Sequence, residues 1–208
     1  MNKKGMLIVI SGPAGCGKDT IVEGLINAAR HEGRCGELFY SISATTREIR
    51  KGEEQGKHYH FITRAEFEEL IKTGEFLEYT EYCGNYYGTL KKTVVSALDE
   101  GKNIILKIEV EGAKNIRRMF NEQHPCAKLL ALFILPPSLK ELRRRLVARS
   151  TEDDETIERR IKKAAEEIAL SDNYDYQVVN DDLQTAINET CEIIRKEHTK
   201  HNSELSER

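Results

Sequence analysis

Continuous apolar runs alternate along this chain with stretches in which apolar residues recur at every third or fourth position. Met6 to Ile10 is an unbroken apolar run, the mark of a strand buried on both faces. Ile21, Val22, Leu25, Ile26 and Ala29 then repeat at helical spacing, which predicts a helix from Asp19 to about His31 closed by Gly33 and Gly36. Leu38 to Ala44 reads as a second strand, Leu90 to Glu100 as a helix, Asn103 to Ile108 as a buried strand and Gly112 to Phe120 as a helix. Lys128 to Leu135 is a further apolar strand, stopped by Pro136-Pro137. Ser138 begins a helix running through Arg149, and a second long helix is predicted from Thr156 to about Ser171. Tyr176 to Val179 is the last strand and Leu183 to about Glu197 the last helix, with a polar, frayed end from His198 to Arg208. Strands alternating with helices predict an α/β fold: a five-stranded parallel sheet with helices on both faces. Residues 43–91 break the rhythm. They are rich in glycine, aromatics and polar groups, with short strand-like pieces and one short helix from Arg64 to Thr73.

The first strand runs into Gly12-Pro13-Ala14-Gly15-Cys16-Gly17-Lys18-Asp19-Thr20, the spacing G-x-x-x-x-G-K between a strand and a helix. The three glycines let successive backbone N–H groups turn inward at a helix N-terminus, where the helix dipole favours an anion. Lys18 adds a full positive charge for β- and γ-phosphates. This is a grip for a nucleoside triphosphate. One position departs from the pattern: the residue after the lysine is ordinarily a serine or threonine whose hydroxyl holds Mg²⁺, and here it is Asp19.

Composition narrows the setting. Hydrophobic residues make up 39% of the 208 and charged residues 32%, as in a soluble globular protein. No apolar run approaches the ~20 residues that span a bilayer, and the chain starts directly into its first strand, so a cytoplasmic protein without membrane contact is expected. A net charge of −3 provides no general basic field for nucleic acid. The five cysteines, Cys16, Cys35, Cys83, Cys126 and Cys191, are odd in number, widely spaced and without a C-x-x-C pair, and read as reduced thiols. Cys16 lies in the phosphate loop, where a helix N-terminus can lower a thiol's pKa, although a small residue that fits is the simpler reading.

Several further pieces occur in order: Thr45-Thr46-Arg47-x-x-Arg50-x-Gly52-Glu53, Gly56-Lys57-x-Tyr59-x-Phe61, Phe76-Leu77-Glu78, Gly84-Asn85-Tyr86-Tyr87-Gly88-Thr89, Pro136-Pro137-Ser138, Arg145-Leu146-x-x-Arg149 and Val179-Asn180-Asp181-Asp182. Together with the phosphate loop they resemble the guanylate kinases, nucleoside monophosphate kinases of the P-loop fold, from about Met6 to Leu183. The resemblance implies transfer of a phosphoryl group from MgATP to GMP. It implies a core at 1–42, 92–137 and 169–208, a GMP-binding subdomain at 43–91 and a lid at 138–168. Arg47 and Arg50, with the hydroxyls of Tyr59 and Tyr87, would clamp the phosphate of GMP. Glu78 would accept from the two donors on one edge of guanine, with Ser43 and Thr89 supplying hydroxyls. Adenine lacks those donors, so a buried Glu78 would disfavour AMP. Arg149 and Arg160 would reach the phosphates of ATP from the lid and, with Lys18 and Arg47, carry the catalysis, while Arg143 and Arg144 read as a solvated helix face. Asn180 and Asp181 would lie beside adenine, mostly through backbone contacts. ATP and GMP are the partners expected, for a monomer or a homodimer.

Three positions depart from the family pattern. Asp19 is one. Lys107 stands where the strand ending Leu106-Lys107-Ile108-Glu109 usually carries an acid, and Arg149 is followed by Ser150 and Thr151 where glycine is common. The acid missing at 107 has its counterpart at 19, which leads us to expect that Asp19 pairs with Lys107 or holds Mg²⁺ directly or through water, and that Glu109 contacts GMP or a water on Mg²⁺. The Gly-Lys-Asp loop also resembles the ribose 1,5-bisphosphate phosphokinases, which lack much of the subdomain at 43–91. A guanylate-kinase-like interaction module without transfer activity is a further alternative, set against the intact Lys18 and glycines.

Overall fold

The computed structural model describes residues 5–33, 35–82, 84–123, 127–149 and 154–206. Five strands form one parallel sheet in the order β2-β7-β1-β8-β9: β1 (Met6–Ser11), β2 (Leu38–Tyr40), β7 (Asn103–Lys107), β8 (Lys128–Leu135) and β9 (Tyr176–Val179). Every residue of β1 is buried, as befits a central strand covered on both faces. A second sheet has four strands in the order β4-β3-β6-β5: β3 (Ala44–Thr45), β4 (His60–Phe61), β5 (Phe76–Tyr82) and β6 (Asn85–Leu90). The expected strand from Leu38 to Ala44 is therefore divided between the two sheets. The Ser41 N–H still bonds to the Ile105 carbonyl, but by Ala44 the chain pairs with Gly88 and His60 instead. An apolar run carries no mark of the point where its hydrogen bonds change partner.

By packing, the chain forms two compact units, one of Met1–Leu7, Phe39–Leu106 and Glu111–Leu129, the other of Ile8–Leu38, Lys107–Val110 and Leu130–Arg208. In the first, the small sheet is closed by α2 (Arg64–Lys72), whose capping box joins Thr63 and Glu66. Phe67 on α2 is fully buried, stacked on Phe76 at 4.3 Å and on Tyr86 at 5.2 Å. Gly88 permits this: a Cβ there would lie 2.8 Å from the Phe76 ring and 2.9 Å from that of Phe67. The same unit carries α3 (Lys91–Asp99) and most of α4 (Val110–Gln123).

In the second unit, α1 (Lys18–Glu32) packs against α7 (Leu183–Ser206), with Ile187 seated at Gly24. The last helix runs well past Glu197, and the frayed end expected from His198 is a correction. The helix continues to Ser206 with His201 buried, and the Tyr176 hydroxyl donates to Glu197 at 2.8 Å, features that a hydrophobic pattern does not register. The reading of all cysteines as reduced thiols is also corrected. Cys35 and Cys191 form a disulfide with Cα atoms 4.7 Å apart, across a sequence separation of 156 that leaves no local signature. Cys83 and Cys126 lie outside the described residues. Finally, α5 (Leu139–Arg149) and α6 (Asp154–Ile168) pair through Leu142, Leu146, Ile161 and Ala164.

Candidate phosphate and nucleotide sites

The loop between β1 and α1 is shaped by glycine. Gly12 has φ +140°, and a Cβ there would stand 2.3 Å from the Ile134 carbonyl oxygen of β8. Gly17 caps α1 in the left-handed region at φ +98°, and its missing Cβ makes room for the Asn180 side chain. Asn180 is buried and donates from Nδ2 to the Cys16 carbonyl at 2.8 Å, while its own carbonyl accepts from Arg145 at 3.0 Å. Asn180 is thus a strut for the phosphate loop, a side-chain role that the expectation of backbone contacts beside adenine did not contain. Asp181 is exposed beside it, and Asp182 caps the start of α7 through the Thr185 N–H.

Lys18 is only 7% exposed, and its ammonium donates to the carbonyls of Gly12 at 2.5 Å and Pro13 at 3.2 Å. Burial would pull its pKa down, but the nearby charges of Glu109, Cys16, Asp19 and Glu167 hold it above the ordinary lysine value, so the group is a firm cation. Burial pushes the Cys16 thiol up against the opposing influence of Lys18, which makes it a small packed residue and a poor nucleophile. Pro13 is buried, Ala14 and Gly15 are half-buried, and Thr20 is exposed in the first turn of α1. Asp19, also exposed, forms an ion pair with Lys107 at the end of β7, one of the two arrangements its position suggested. Two residues on, the Oε2 atom of Glu109 is buried and accepts no hydrogen bond among the described residues.

These oxygen donors bear on Mg²⁺. No group of three or more metal-ligating side chains occurs among the described residues. An ion held mainly by substrate phosphates and water, with one or two carboxylates in support, is what Mg²⁺ ordinarily takes. The orphaned oxygen of Glu109 fits that supporting part, while the carboxylate of Asp19 is held by Lys107.

One carboxylate beside this loop escaped the sequence reading. Glu167, near the end of α6, is buried, with Lys163 at 3.8 Å. Burial, and then the charge of Glu109, push its carboxyl up to about 7, against the pull of Lys163 and Lys18. The signal was its place three residues after Ala164, on the buried side of a helix otherwise marked there by Ile157 and Ala164. On the same pair of helices Arg160 is half-buried, whereas the side chain of Arg149 lies outside the described residues. Arg143 pairs with Glu158, and Arg144 and Arg145 both pair with Glu141 at 2.8 and 2.9 Å.

The first unit holds the other group of expected site residues. Glu78 lies opposite Thr89 in the β5–β6 pairing, beside a bulge between Phe76 and Glu78 that breaks the plain alternation. It is 6% exposed, and the Thr89 hydroxyl donates to its Oε1 at 2.7 Å. Burial raises its pKa to about 7 despite that hydrogen bond. Ser43 is buried just before β3. Arg47 leaves the end of β3 and is gripped bidentately by Glu53, at 3.0 and 2.8 Å, with its guanidinium 5.6 Å from the centre of the Tyr59 ring. Tyr59 and Tyr87 meet edge to face at 6.0 Å, and Tyr87 hydrogen-bonds with Arg47. Arg47, Tyr59 and Tyr87 are thereby brought together as expected. Arg50 is exposed, and its backbone N–H donates to Glu53 at 2.8 Å. Glu53 is the organiser that the sequence reading passed over, although it stood in the quoted motif.

A parallel sheet whose central strand feeds a glycine-rich loop, a buried lysine and the N-terminus of a helix defines the class: a P-loop phosphotransferase of the nucleoside monophosphate kinase type. Among the described residues, no helix is long and apolar enough to cross a membrane. Comparison with known proteins is more specific. Residues 4–197 match the family model of guanylate kinase. The chain is 46% identical over 197 residues to the guanylate kinase of Carboxydothermus hydrogenoformans, covering 95% of this chain and 91% of that one. It is 46% identical over 183 residues to the guanylate kinase of Trichormus variabilis, covering 88% and 86%. A crystal structure of guanylate kinase from Anaplasma phagocytophilum superimposes with a TM-score of 0.74 at 34% identity, covering 95% of this chain and 88% of that one. The chain belongs to the guanylate kinase family.

Proposed function

We infer that the chain is an ATP:GMP phosphotransferase that moves the γ-phosphoryl group of ATP to GMP, giving ADP and GDP in purine nucleotide metabolism. The observation that carries the acceptor's identity is Glu78, a buried carboxylate fixed by Thr89, within a chain of this family. Guanine offers N1–H and an N2 amino group on one edge, and a carboxylate accepts both. Adenine would offer Glu78 no donors in place of those of guanine, a penalty that can reach factors of 10⁴ or more in discrimination.

In this reading the backbone of Gly12, Pro13, Ala14, Gly15, Cys16 and Gly17, with Lys18, holds the ATP phosphates, and Asp19 and Thr20 follow in the first turn of α1. Asn180 keeps the loop in shape. Arg47, Arg50, Tyr59 and Tyr87 receive the phosphate of GMP. Ser43, Glu78 and Thr89 read its base, with Glu109 in support. Transfer between phosphates needs little covalent work from the protein. It needs alignment and a spreading of negative charge, which Lys18, Arg47, Arg149 and Arg160 are suited to supply. Bound with ATP, Mg²⁺ would neutralise and orient the phosphate oxygens, with Glu109 as the carboxylate at hand and Asp19 paired with Lys107. The divisions at 43–91 and 138–168 serve as acceptor-binding and lid segments. ATP and GMP fit a cytoplasmic place of work, and the chain acts as a monomer or a homodimer.

The test is ADP release by the purified protein with MgATP and, separately, GMP, AMP, CMP, UMP and ribose 1,5-bisphosphate. Turnover with GMP alone, abolished in Lys18→Ala and reduced at least a hundredfold in Glu78→Ala, is expected. Turnover only with the sugar phosphate, or with no acceptor, would overturn the reading.

A further inference from the structure

Asp19 and Lys107 are each unfavourably placed when taken alone. Asp19 is the sole acid between Gly12 and Thr20, next to the lysine that faces the β- and γ-phosphates, and its side chain is 75% exposed. Its field reaches Lys18, whose ammonium it helps hold above the ordinary value. A carboxylate there repels an incoming triphosphate. Lys107 ends β7 with a side chain only 12% exposed, two residues before Glu109 and its orphaned oxygen. The ion pair between the two answers both difficulties, since each charge cancels the other where a polyanion would arrive.

We propose that Lys107 is a positioning residue for ATP: it holds and neutralises the Asp19 carboxylate, so that the phosphate loop keeps its attraction for the triphosphate. The proposal rests on the phosphotransferase reading above, and wild-type turnover of GMP tests that reading separately. A plain surface salt bridge predicts something different. Such pairs contribute little to stability and nothing to substrate binding, so breaking one would leave the kinetics unchanged. If Lys107 acts through Asp19, the cost of losing it depends on whether Asp19 is present.

The experiment is a double-mutant cycle with Lys107→Met, Asp19→Ser and the double variant, together with Lys107→Arg. KM for MgATP, kcat and thermal midpoint are measured for each, and the Kd for a non-hydrolysable MgATP analogue is measured by calorimetry without acceptor. With Asp19 in place, Lys107→Met is expected to raise KM and Kd for the nucleotide about tenfold, with kcat lowered less than threefold and the thermal midpoint little changed. With Asp19→Ser already present, the same substitution is expected to change KM and Kd less than threefold. Lys107→Arg, which keeps the charge, should bind within about threefold of wild type. Equal effects of Lys107→Met in both backgrounds, or no effect in either, would overturn the proposal. So would failure of Lys107→Arg to bind better than Lys107→Met. If Lys107→Met does not fold, Asp19→Asn decides: weaker analogue binding with a changed preference between Mg²⁺ and Mn²⁺ would make Asp19 a metal ligand and refute the neutralising role. Unchanged or tighter binding would support it.

Discussion

A buried carboxylate with a pKa near 7 is a poor surface group and a useful reader of donors. In the proposed role Glu78 must be ionised to accept from both N1–H and N2 of guanine, and burial holds it at about 7. Lowering the pH protonates it and removes half of its accepting capacity. We expect KM for GMP to rise as pH falls below 7, approaching tenfold per unit, with a flatter profile in Glu78→Gln. The GMP phosphate, whose second pKa is about 6, contributes the part common to both proteins. Comparison of the two profiles between pH 5.5 and 8.5 checks this, and parallel curves would count against the role. At this scale most of the candidate site was legible. Lys18, Arg47, Tyr59, Glu78 and Tyr87 stood in motifs whose residue types suit the chemistry proposed for them. Glu53, Glu167 and the strut made by Asn180 were not legible in the same way, because each matters through what it touches. Glu53 touches Arg47, Glu167 lies near Lys18 and Glu109, and Asn180 touches a carbonyl 164 residues away in sequence.

At the scale of elements, the small sheet depends on one aromatic anchor. Phe67 joins α2 to β5 and β6 through stacked contacts with Phe76 and Tyr86, at a spot where Gly88 has no side chain. Phe67→Ala should remove about 3–5 kcal/mol from the stability of that unit. Denaturant unfolding should show it, accompanied by a larger rise in KM for GMP than for ATP, because Glu78 and Thr89 sit on the strands it supports. Elements were predictable where one pattern ran unbroken, as in β1, α2, β8 and β9. They were misjudged where a partner decided the outcome. Leu38 to Ala44 looked like one strand because its residues are uniformly suited to one, yet hydrogen bonding divides it between two sheets. The last helix looked finished at Glu197 because its further residues are polar, yet His201 is buried among its neighbours.

For the whole molecule, two arrangements make stability respond to pH and to reductant. Glu78 and Glu167 both have folded pKa values of about 7, above the unfolded carboxylate value of 4.5. The folded state therefore binds their protons more tightly, and the stability they contribute is present below pH 4.5 and lost as pH rises towards 7. The thermal midpoint should fall between pH 5 and 8, and Glu78→Gln with Glu167→Gln should flatten that fall. The Cys35–Cys191 disulfide closes a loop of 156 residues, for which chain entropy alone gives an upper figure of about 5 kcal/mol. Reductant should lower the thermal midpoint of wild type and leave Cys191→Ser unmoved, whereas equal responses would mean that the bridge does not contribute.

What the sequence determined by itself was whatever local order encodes. The alternation of buried strands and amphipathic helices, the glycine spacing of the loop after β1, and the order of the motifs around Arg47, Glu78 and Tyr87 are properties of neighbouring residues. What only the tertiary structure decided were pairings between distant ones: the choice of Lys107 for Asp19 between the two arrangements its position suggested, Cys35 with Cys191, Asn180 with the loop carbonyl, and the burial that brings Glu78 and Glu167 to their shifted pKa values. A hydrogen bond, a disulfide or a desolvated carboxylate depends on distance in space, and along the chain those partners are separated by anything from 11 to 164 residues.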